Sequence, residues 1–212
     1  MENIKSLKKT IFFGHQSVGA NLLNGIHKIS PQSMENITES YIGENRDPLS
    51  KIIDFEKNLK NINNVDIAMM KFCFVDIPNQ HTPEQILEYY DAMIQRIQHQ
   101  YPNIKIIHIT VPLTSNPTGL INQTKTIIKK LIGKPTYNPI LNKDRNEFNK
   151  LIKQKYSKDD IFDLAFIESN GERYQENGFP ALFPGYTYDG GHLNEDGSRI
   201  IGKEFLNFLT NL

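Results

Sequence analysis

The chain has 212 residues, a size that fits one domain with a substantial hydrophobic core. Its 24 basic and 24 acidic side chains cancel, which argues against nucleic acid or an anionic membrane surface as a partner. The single cysteine, Cys73, excludes an internal disulfide framework and gives no zinc-site spacing.

The sequence also disfavours a membrane-spanning protein and a metal-dependent enzyme. No apolar run approaches the roughly 20 residues that a membrane-spanning helix needs. The polar N-terminus and the short apolar segment that follows it predict no signal peptide, so the expected compartment is the cytoplasm unless a leader has been removed. No carboxylate pair or histidine cluster has the spacing of a metal site, and we expect neither a metal nor a cofactor.

Short apolar runs alternate with longer amphipathic segments, which is typical of an α/β fold with a largely parallel sheet. The predicted strands are Thr10–Gly14, Ile37–Ile42, Val65–Phe74, Ile104–Val111 and Ile161–Ile167. The predicted helices are Ser17–Ile29, Pro48–Asn61, Pro83–Gln100, Lys143–Tyr156 and Asn194–Leu209, the last with Asn194 as its N-cap. No linker or repeat divides the sequence, so residues 1–212 are predicted to form one domain.

Two connections are longer than a compact α/β domain needs. Thr114–Asn142 contains a short basic helical pattern near Thr124–Leu131, and Ser169–Thr187 is rich in glycine, proline and aromatic residues. Long ordered loops often form the walls of binding sites. The second loop leads directly into the glycine-rich segment that contains Asp189 and His192, so we interpret this loop as a wall of the binding site. For the first loop, a simple packing insertion is nearly as good an interpretation as a site wall.

The turn after the first strand offers a candidate nucleophile, Ser17, in the sequence Gly-His-Gln-Ser-Val-Gly at 14–19. A serine at a strand-to-helix junction is commonly an N-cap, so the motif alone does not identify a catalytic group. His15 either donates to a substrate or fills the end of the strand. Gln16 is predicted to hold the loop through hydrogen bonds of its side chain.

The segment at 188–197 carries the stronger signal. Asp189 and His192 are separated by two glycines just before the last predicted helix. An aspartate at this spacing can accept a hydrogen bond from His Nδ1, fix the tautomer and leave Nε2 to act as a base. Because ligands in open α/β sheets bind beyond the carboxyl ends of the strands, Ser17 and His192 are predicted to lie on the same edge.

Several polar residues near predicted strand ends have two interpretations. Cys73 is more often a buried small apolar residue than a nucleophile, although a Cys-His hydrolase remains an alternative. Lys71 either polarises a substrate or has a solvated or structural role. Glu168 and Asn170 follow the last predicted strand and are predicted to reach the site at the same edge. His108 lies within an apolar strand and is predicted to be a hydrogen-bonded core histidine.

The order of these motifs resembles the SGNH hydrolase superfamily, also called GDSL esterases and lipases. The specific part is Asp-Gly-Gly-His-Leu-Asn-x-x-Gly at 189–197, which is similar to the last block of that family. The resemblance implies a three-layer α/β/α fold with a five-stranded, flavodoxin-like parallel sheet. It also implies that Ser17 is the acyl-accepting nucleophile and that Asp189 and His192 complete its triad.

The other blocks of the family are altered in this chain. Gln16 stands where the family has an aspartate before the serine. Gly43 is the candidate for the glycine whose amide binds the oxyanion. Cys73 stands near the position of the oxyanion-binding asparagine, and a thiol is a weaker donor than an amide. The resemblance therefore implies a divergent member with an altered oxyanion hole. By their positions beside Ser17 and Cys73, His15, Gln16 and Lys71 are further candidate residues for binding the oxyanion or the substrate.

A small acyl ester, such as an O-acetyl group on a carbohydrate, is the substrate class that the resemblance implies. Two other functions stay open. An acyltransferase would use the same triad with an alcohol in place of water. A non-catalytic SGNH-like binding module is the second, because the segments around Ser17 and Cys73 depart from the family pattern.

Overall fold

The computed structural model of the chain describes residues 7–78, 80–117 and 138–212. Five parallel strands form one sheet in the order β2-β1-β3-β4-β5. The strands are β1 Ile11–His15, β2 Ile37–Tyr41, β3 Ile67–Met70, β4 Lys105–Ile109 and β5 Ile161–Phe162. The helices are α1 Val18–Ile29, α2 Pro48–Leu59, α3 Pro83–Gln100, α4 Asn142–Lys155, α5 Leu164–Glu168 and α6 Glu195–Thr210.

The sheet is covered by helices on both faces, because alternate strand residues are buried in two separate apolar clusters. On one face Phe13 and Met69 pack with α1 and α6, whereas on the other Phe12 and Met70 pack with α2, α3 and α4. Strands buried on both faces are expected to be continuously apolar, as β3 is throughout and β1 is up to its last residue, His15. The predicted three-layer α/β/α arrangement with a five-stranded parallel sheet is confirmed.

The fifth predicted strand differs most from the structure. The predicted strand Ile161–Ile167 is wrong in its second half, because the chain leaves the sheet after Phe162 and forms the short helix α5. The side chain of Asp163 accepts a hydrogen bond from the amide of Phe166 and so caps that helix. The basic helix predicted near Thr124–Leu131 lies outside the described residues. The loop at 169–187 forms a small antiparallel hairpin of β6 Gln175–Glu176 and β7 Phe179–Pro180.

The last helix begins as predicted, since the side chain of Asn194 accepts a hydrogen bond of 2.8 Å from the amide of Gly197. This cap fixes the point where the segment containing His192 turns into α6. His108 is also buried as predicted, with its Nδ1 atom 2.9 Å from the hydroxyl of Tyr90.

Helices α1 and α6 approach each other closely where both contain glycine. A Cβ atom added at Gly25 would lie 1.9 Å from the carbonyl oxygen of Ser198 and 3.1 Å from the Cα atom of Gly202. These distances are too short for any side chain, so the contact requires glycine. It joins the helix that follows Ser17 to the helix that follows His192.

We expect Gly25→Ala to lower the free energy of unfolding by about 1–3 kcal/mol, because a methyl group would force the two helices apart. The exposed neighbour Asn24 provides a matched control, and Asn24→Ala is expected to change the stability by less than about 0.5 kcal/mol. Urea denaturation of both variants measures the difference. Equal stability of the two variants would mean that the helices adjust without cost.

Candidate active site

Ser17 occupies a strained turn between β1 and α1. Its backbone has φ 53° and ψ −107°, a region that residues with a side chain rarely adopt. Although Ser17 stands at the N-cap position, its side chain makes no capping hydrogen bond. The N-cap interpretation is therefore not supported, and the hydroxyl group is left available. Backbone strain of this kind is often found at functional sites, so the turn itself is an argument for a role of Ser17.

Asp189 and His192 form a closely held pair at the other end of the chain. The Oδ2 atom of Asp189 lies 2.8 Å from Nδ1 of His192, while Oδ1 accepts hydrogen bonds from the amides of Gly191 and His192 at 2.9 and 2.8 Å. Burial disfavours the ionised carboxyl, but these hydrogen bonds outweigh it and lower the pKa of Asp189 to about 2. An ionised Asp189 orients the imidazole with Nε2 directed away from the carboxylate.

Three contacts join the histidine segment to the carboxyl ends of the strands. The amide of Leu193 donates to the side-chain oxygen of Asn21, one turn after Ser17, at 3.3 Å. The ring of Phe74, beyond β3, meets the ring of His192 edge-on with centroids 5.8 Å apart. The amide of Ser115, beyond β4, donates to the carbonyl of Gly190 at 2.8 Å. Ser17 and His192 therefore lie on the same edge of the sheet, as the sequence predicts.

Gly43 does not offer its amide to a substrate in this structure. The amide donates to the carboxylate of Asp54 at 2.9 Å. The residue has φ 53°, and a Cβ atom there would lie 2.4 Å from the amide nitrogen of Lys51. Glycine is thus required because the loop after β2 rests against the start of α2. The prediction that Gly43 supplies an oxyanion donor is not supported by this geometry.

Cys73 is also engaged by its surroundings. Its amide donates to the carboxylate of Asp76 at 2.6 Å, and its buried sulfur atom lies 4.0 Å from the carbonyl oxygen of Gln16. Neither group is directed to open space. By contrast, neither Ser17 nor Val18 donates an amide hydrogen bond to another residue within the described ranges. The first turn of α1 therefore holds the amides best suited to bind an oxyanion.

His15 and Gln16 both have structural partners. His15 has no exposed surface, and its Nε2 atom lies 2.8 Å from the carboxylate of Glu39. Burial lowers the pKa of His15 to about 4, so the ring is neutral at pH 7 and fills the strand end rather than meeting a substrate. The side-chain amide of Gln16 donates to the carbonyl groups of Ile42 and Gly43. Gln16 therefore ties the turn of Ser17 to the loop after β2, as predicted.

Lys71 is completely buried, so the solvated alternative predicted for it is wrong. Its ammonium group donates to the carbonyl of Phe72 at 3.0 Å and lies 3.7 Å from the sulfur of Cys73. A buried lysine is costly unless it is bonded in this way. Because its ammonium group is buried and bonded at the end of β3, we interpret Lys71 as a structural residue and not as one that contacts a substrate.

Glu168 is a buried carboxyl group at the end of α5. One oxygen accepts a hydrogen bond of 2.7 Å from the amide of Leu113, and the other has no hydrogen-bond partner among the described residues. Burial raises the pKa of Glu168 to about 8, against the weaker opposing effects of the Leu113 amide and of Lys71. At pH 7 this group is therefore a neutral acid in the interior of the protein.

We expect the folded protein to lose stability as the pH rises from the ordinary pKa of a glutamate to about 8, because over this range the unfolded state releases a proton that the buried carboxyl group of Glu168 retains. An acid whose folded-state pKa is raised stabilises fully below its unfolded pKa, and this stabilisation is lost as the pH rises through the folded pKa. Glu168→Gln is expected to remove this loss. Urea denaturation of both proteins at pH 6.5 and 8.5 measures it, and parallel curves for the two would contradict the assignment.

Arg145 is a site-forming residue that sequence reasoning missed. Its guanidinium is buried, donates to the carbonyl groups of Phe74 and Ile77 at 2.8 and 3.1 Å, and lies 5.9 Å from the centre of the Phe74 ring. It thereby fixes the ring that meets His192. A signal was present, because Arg145 shares a helical stripe with the buried residues Phe148 and Ile152.

No group of three histidine, cysteine, aspartate or glutamate side chains in the described ranges is placed to hold a metal ion. The same part of the chain contains no helix long and apolar enough to cross a membrane.

No protein-family model matches the chain, and no curated protein matches it. Several solved structures, however, are similar to the chain. An acetyl xylan esterase, AlAXEase, has a TM-score of 0.54 at 20% identity, covering 94% of this chain and 98% of the esterase. The periplasmic domain of a lipopolysaccharide acetyltransferase from Salmonella ser. Paratyphi A has a TM-score of 0.57 at 18% identity, covering 96% of this chain and 84% of that domain.

A third similar structure is a protein from Parabacteroides merdae assigned to the GDSL-like lipases. Its TM-score is 0.54 at 12% identity, and the match covers 97% of this chain and 98% of the other. At such identities the likeness establishes a shared fold. The chain thus has the α/β fold of GDSL-type esterases, lipases and acetyltransferases.

Proposed function

We propose that this chain is a divergent member of the SGNH hydrolase superfamily and acts as a serine hydrolase on an acyl ester. The observation that carries the proposal is the pairing of Asp189 with His192 at 2.8 Å, on the same sheet edge as the strained turn of Ser17. The fold shared with GDSL-type enzymes supports it. The extent of the domain, residues 1–212, and the cytoplasmic location stay predictions.

In the proposed mechanism, Nε2 of His192 removes the hydroxyl proton of Ser17 as Oγ forms a bond to the ester carbonyl carbon. The carbonyl oxygen takes up the negative charge and is bound by the amides of Ser17 and Val18 at the positive end of α1. His192 then gives its proton to the leaving alcohol, and the carbon–oxygen bond breaks. Water, deprotonated by the same imidazole, attacks the acyl-serine and releases the acid and the free serine.

For the substrate class we propose a small acyl group, with acetyl esters of carbohydrates as the first candidates. An acetyl xylan esterase and a carbohydrate acetylesterase from Sinorhizobium meliloti share the fold and support this choice. The second candidate function is acyl transfer to an alcohol, which the likeness to the lipopolysaccharide acetyltransferase supports. Both functions use the same acyl-serine, and they differ in whether water or a bound alcohol accepts the acyl group.

The first test is labelling of the wild-type protein by a fluorophosphonate probe, together with hydrolysis of p-nitrophenyl acetate. Labelling with turnover is the expected result. Acetate release from acetylated xylan, with and without an added acceptor oligosaccharide, then separates the two functions, because a transferase forms an acetylated acceptor and releases less acetate. Absence of both labelling and turnover in folded protein would contradict the proposal and favour a binding module.

A further inference from the structure

A fully buried ion pair lies beside the turn of Ser17 and has no part in the proposed chemistry. The ammonium group of Lys51, on α2, is 3.2 Å from the carboxylate of Asp76, beyond β3, and neither side chain has any exposed surface. Removing two charges from water costs several kcal/mol per ion, and the attraction between them often does no more than offset this cost. Stabilisation alone therefore does not explain the presence of this buried ion pair.

Asp76 receives hydrogen bonds from two different loops. One carboxylate oxygen accepts from the amide of Arg46 at 2.9 Å, and the other accepts from the amide of Cys73 at 2.6 Å. Lys51 also donates to the carbonyl of Glu44 at 2.6 Å. The ion pair thus joins three segments: the loop after β2, the turn after β3 and the start of α2.

These two loops flank the proposed nucleophile, because β1 lies between β2 and β3 in the sheet. On one side, Gln16 donates to the carbonyl of Ile42 in the loop after β2. On the other side, the sulfur of Cys73, in the turn after β3, approaches the carbonyl of Gln16 at 4.0 Å. The ion pair connects the two sides beyond the end of β1, where the turn of Ser17 begins.

We propose that Lys51 and Asp76 are positioning residues that hold the loops after β2 and β3 in register around Ser17. The inference rests on the proposed function, since it assigns these residues to the same site. By the resemblance described above, Gln16 stands where SGNH hydrolases have an aspartate before the serine, and Cys73 stands near the position of their oxyanion-binding asparagine. The ion pair supplies, from outside the usual motifs, the connections that hold this altered site together.

The test uses the double variant Lys51→Met/Asp76→Asn, which removes both charges and so leaves no buried charge unpaired. The amide group introduced at position 76 retains one acceptor oxygen, so at least one of the two backbone amides loses its partner. The matched control is Lys105→Met/Asp160→Asn, which removes a half-exposed ion pair of 3.0 Å at the opposite edge of the sheet. The single variant Asp76→Asn keeps the Lys51 bond to Glu44 but leaves the buried Lys51 charge without its carboxylate, so it is a second and more severe probe.

Two readouts are compared. Hydrogen exchange at the amides of Arg46, Cys73 or both is expected to accelerate by about tenfold or more in the Asp76 variants and to be unchanged in the control. With p-nitrophenyl acetate, kcat is expected to fall about 10- to 100-fold because the loops shift by a fraction of an ångström to an ångström. KM is expected to change by less than about threefold, because the substrate does not touch either residue.

Each outcome bears on the inference separately from the proposed function. Unchanged exchange at both amides would overturn it whatever the activity. Faster exchange together with a wild-type kcat would overturn it too, because loosening the two loops would then have no effect on the site. If the wild-type protein is labelled at Ser17 but does not turn over p-nitrophenyl acetate, kcat is replaced by the rate of fluorophosphonate labelling, and labelling that is not slowed in the Asp76 variants overturns the inference. Absence of both labelling and turnover in the wild type contradicts the proposed function and the inference with it.

Discussion

Ser17→Ala is expected to abolish labelling by a fluorophosphonate and to lower kcat for p-nitrophenyl acetate by about 10³- to 10⁶-fold. The reason is chemical, because alanine has no group that can form the acyl-enzyme intermediate. The fold should persist, since the side chain of Ser17 makes no capping hydrogen bond. The positive φ of residue 17 is retained in the variant and costs alanine about as much as it costs serine.

The control for this experiment is Cys73→Ala, because a cysteine nucleophile was the alternative that the sequence left open. Cys73 is buried and its sulfur faces the carbonyl of Gln16, so labelling and turnover should survive its replacement. Equal melting temperatures of Ser17→Ala and the wild type would show that the loss is chemical. Loss of labelling in Cys73→Ala with retention in Ser17→Ala would reverse the assignment of the nucleophile.

Asp189→Asn is expected to lower kcat by about 10²- to 10⁴-fold with little change in KM. The asparagine oxygen can still accept from the amides of Gly191 and His192, so the loop should keep its shape. Its amide nitrogen, however, would donate to Nδ1 of His192 and stabilise the tautomer with the proton on Nε2. The imidazole could then no longer accept the proton of Ser17.

The same substitution has a separate effect on stability that depends on pH. The folded-state pKa of Asp189 is lowered to about 2, so its stabilising contribution is present above the ordinary pKa of an aspartate and is lost as the pH falls towards 2. The wild type should therefore exceed Asp189→Asn in stability at pH 7 by more than it does at pH 3. Asp196→Asn, at an exposed position in the first turn of α6, is the control.

For the activity of Asp189→Asn, a kcat within about threefold of wild type would contradict the proposed triad.

The strand prediction shows where local sequence patterns are informative and where they fail. Strand β1 and helix α3 are strongly patterned, and the structure places them within one residue of the predicted bounds. The apolar run at 161–167 fits a strand and a short helix equally well, because a segment of this length has no clear period. The side chain of Asp163 caps α5 and so favours the helix over a longer strand. The strand before it has only two residues.

The sequence by itself determined the fold class, because alternating apolar and amphipathic segments can bury their apolar faces only as a layered α/β structure. It also determined the Asp189–His192 pair, since three residues with two glycines bring these side chains together locally. Only the tertiary structure decided which groups remain free for a substrate. The amide of Gly43 and the side chains of Lys71 and His15 were candidates by position, yet each is bonded or buried by the surrounding fold. Hydrogen bonding between loops depends on how strands lie side by side, and no local pattern records that.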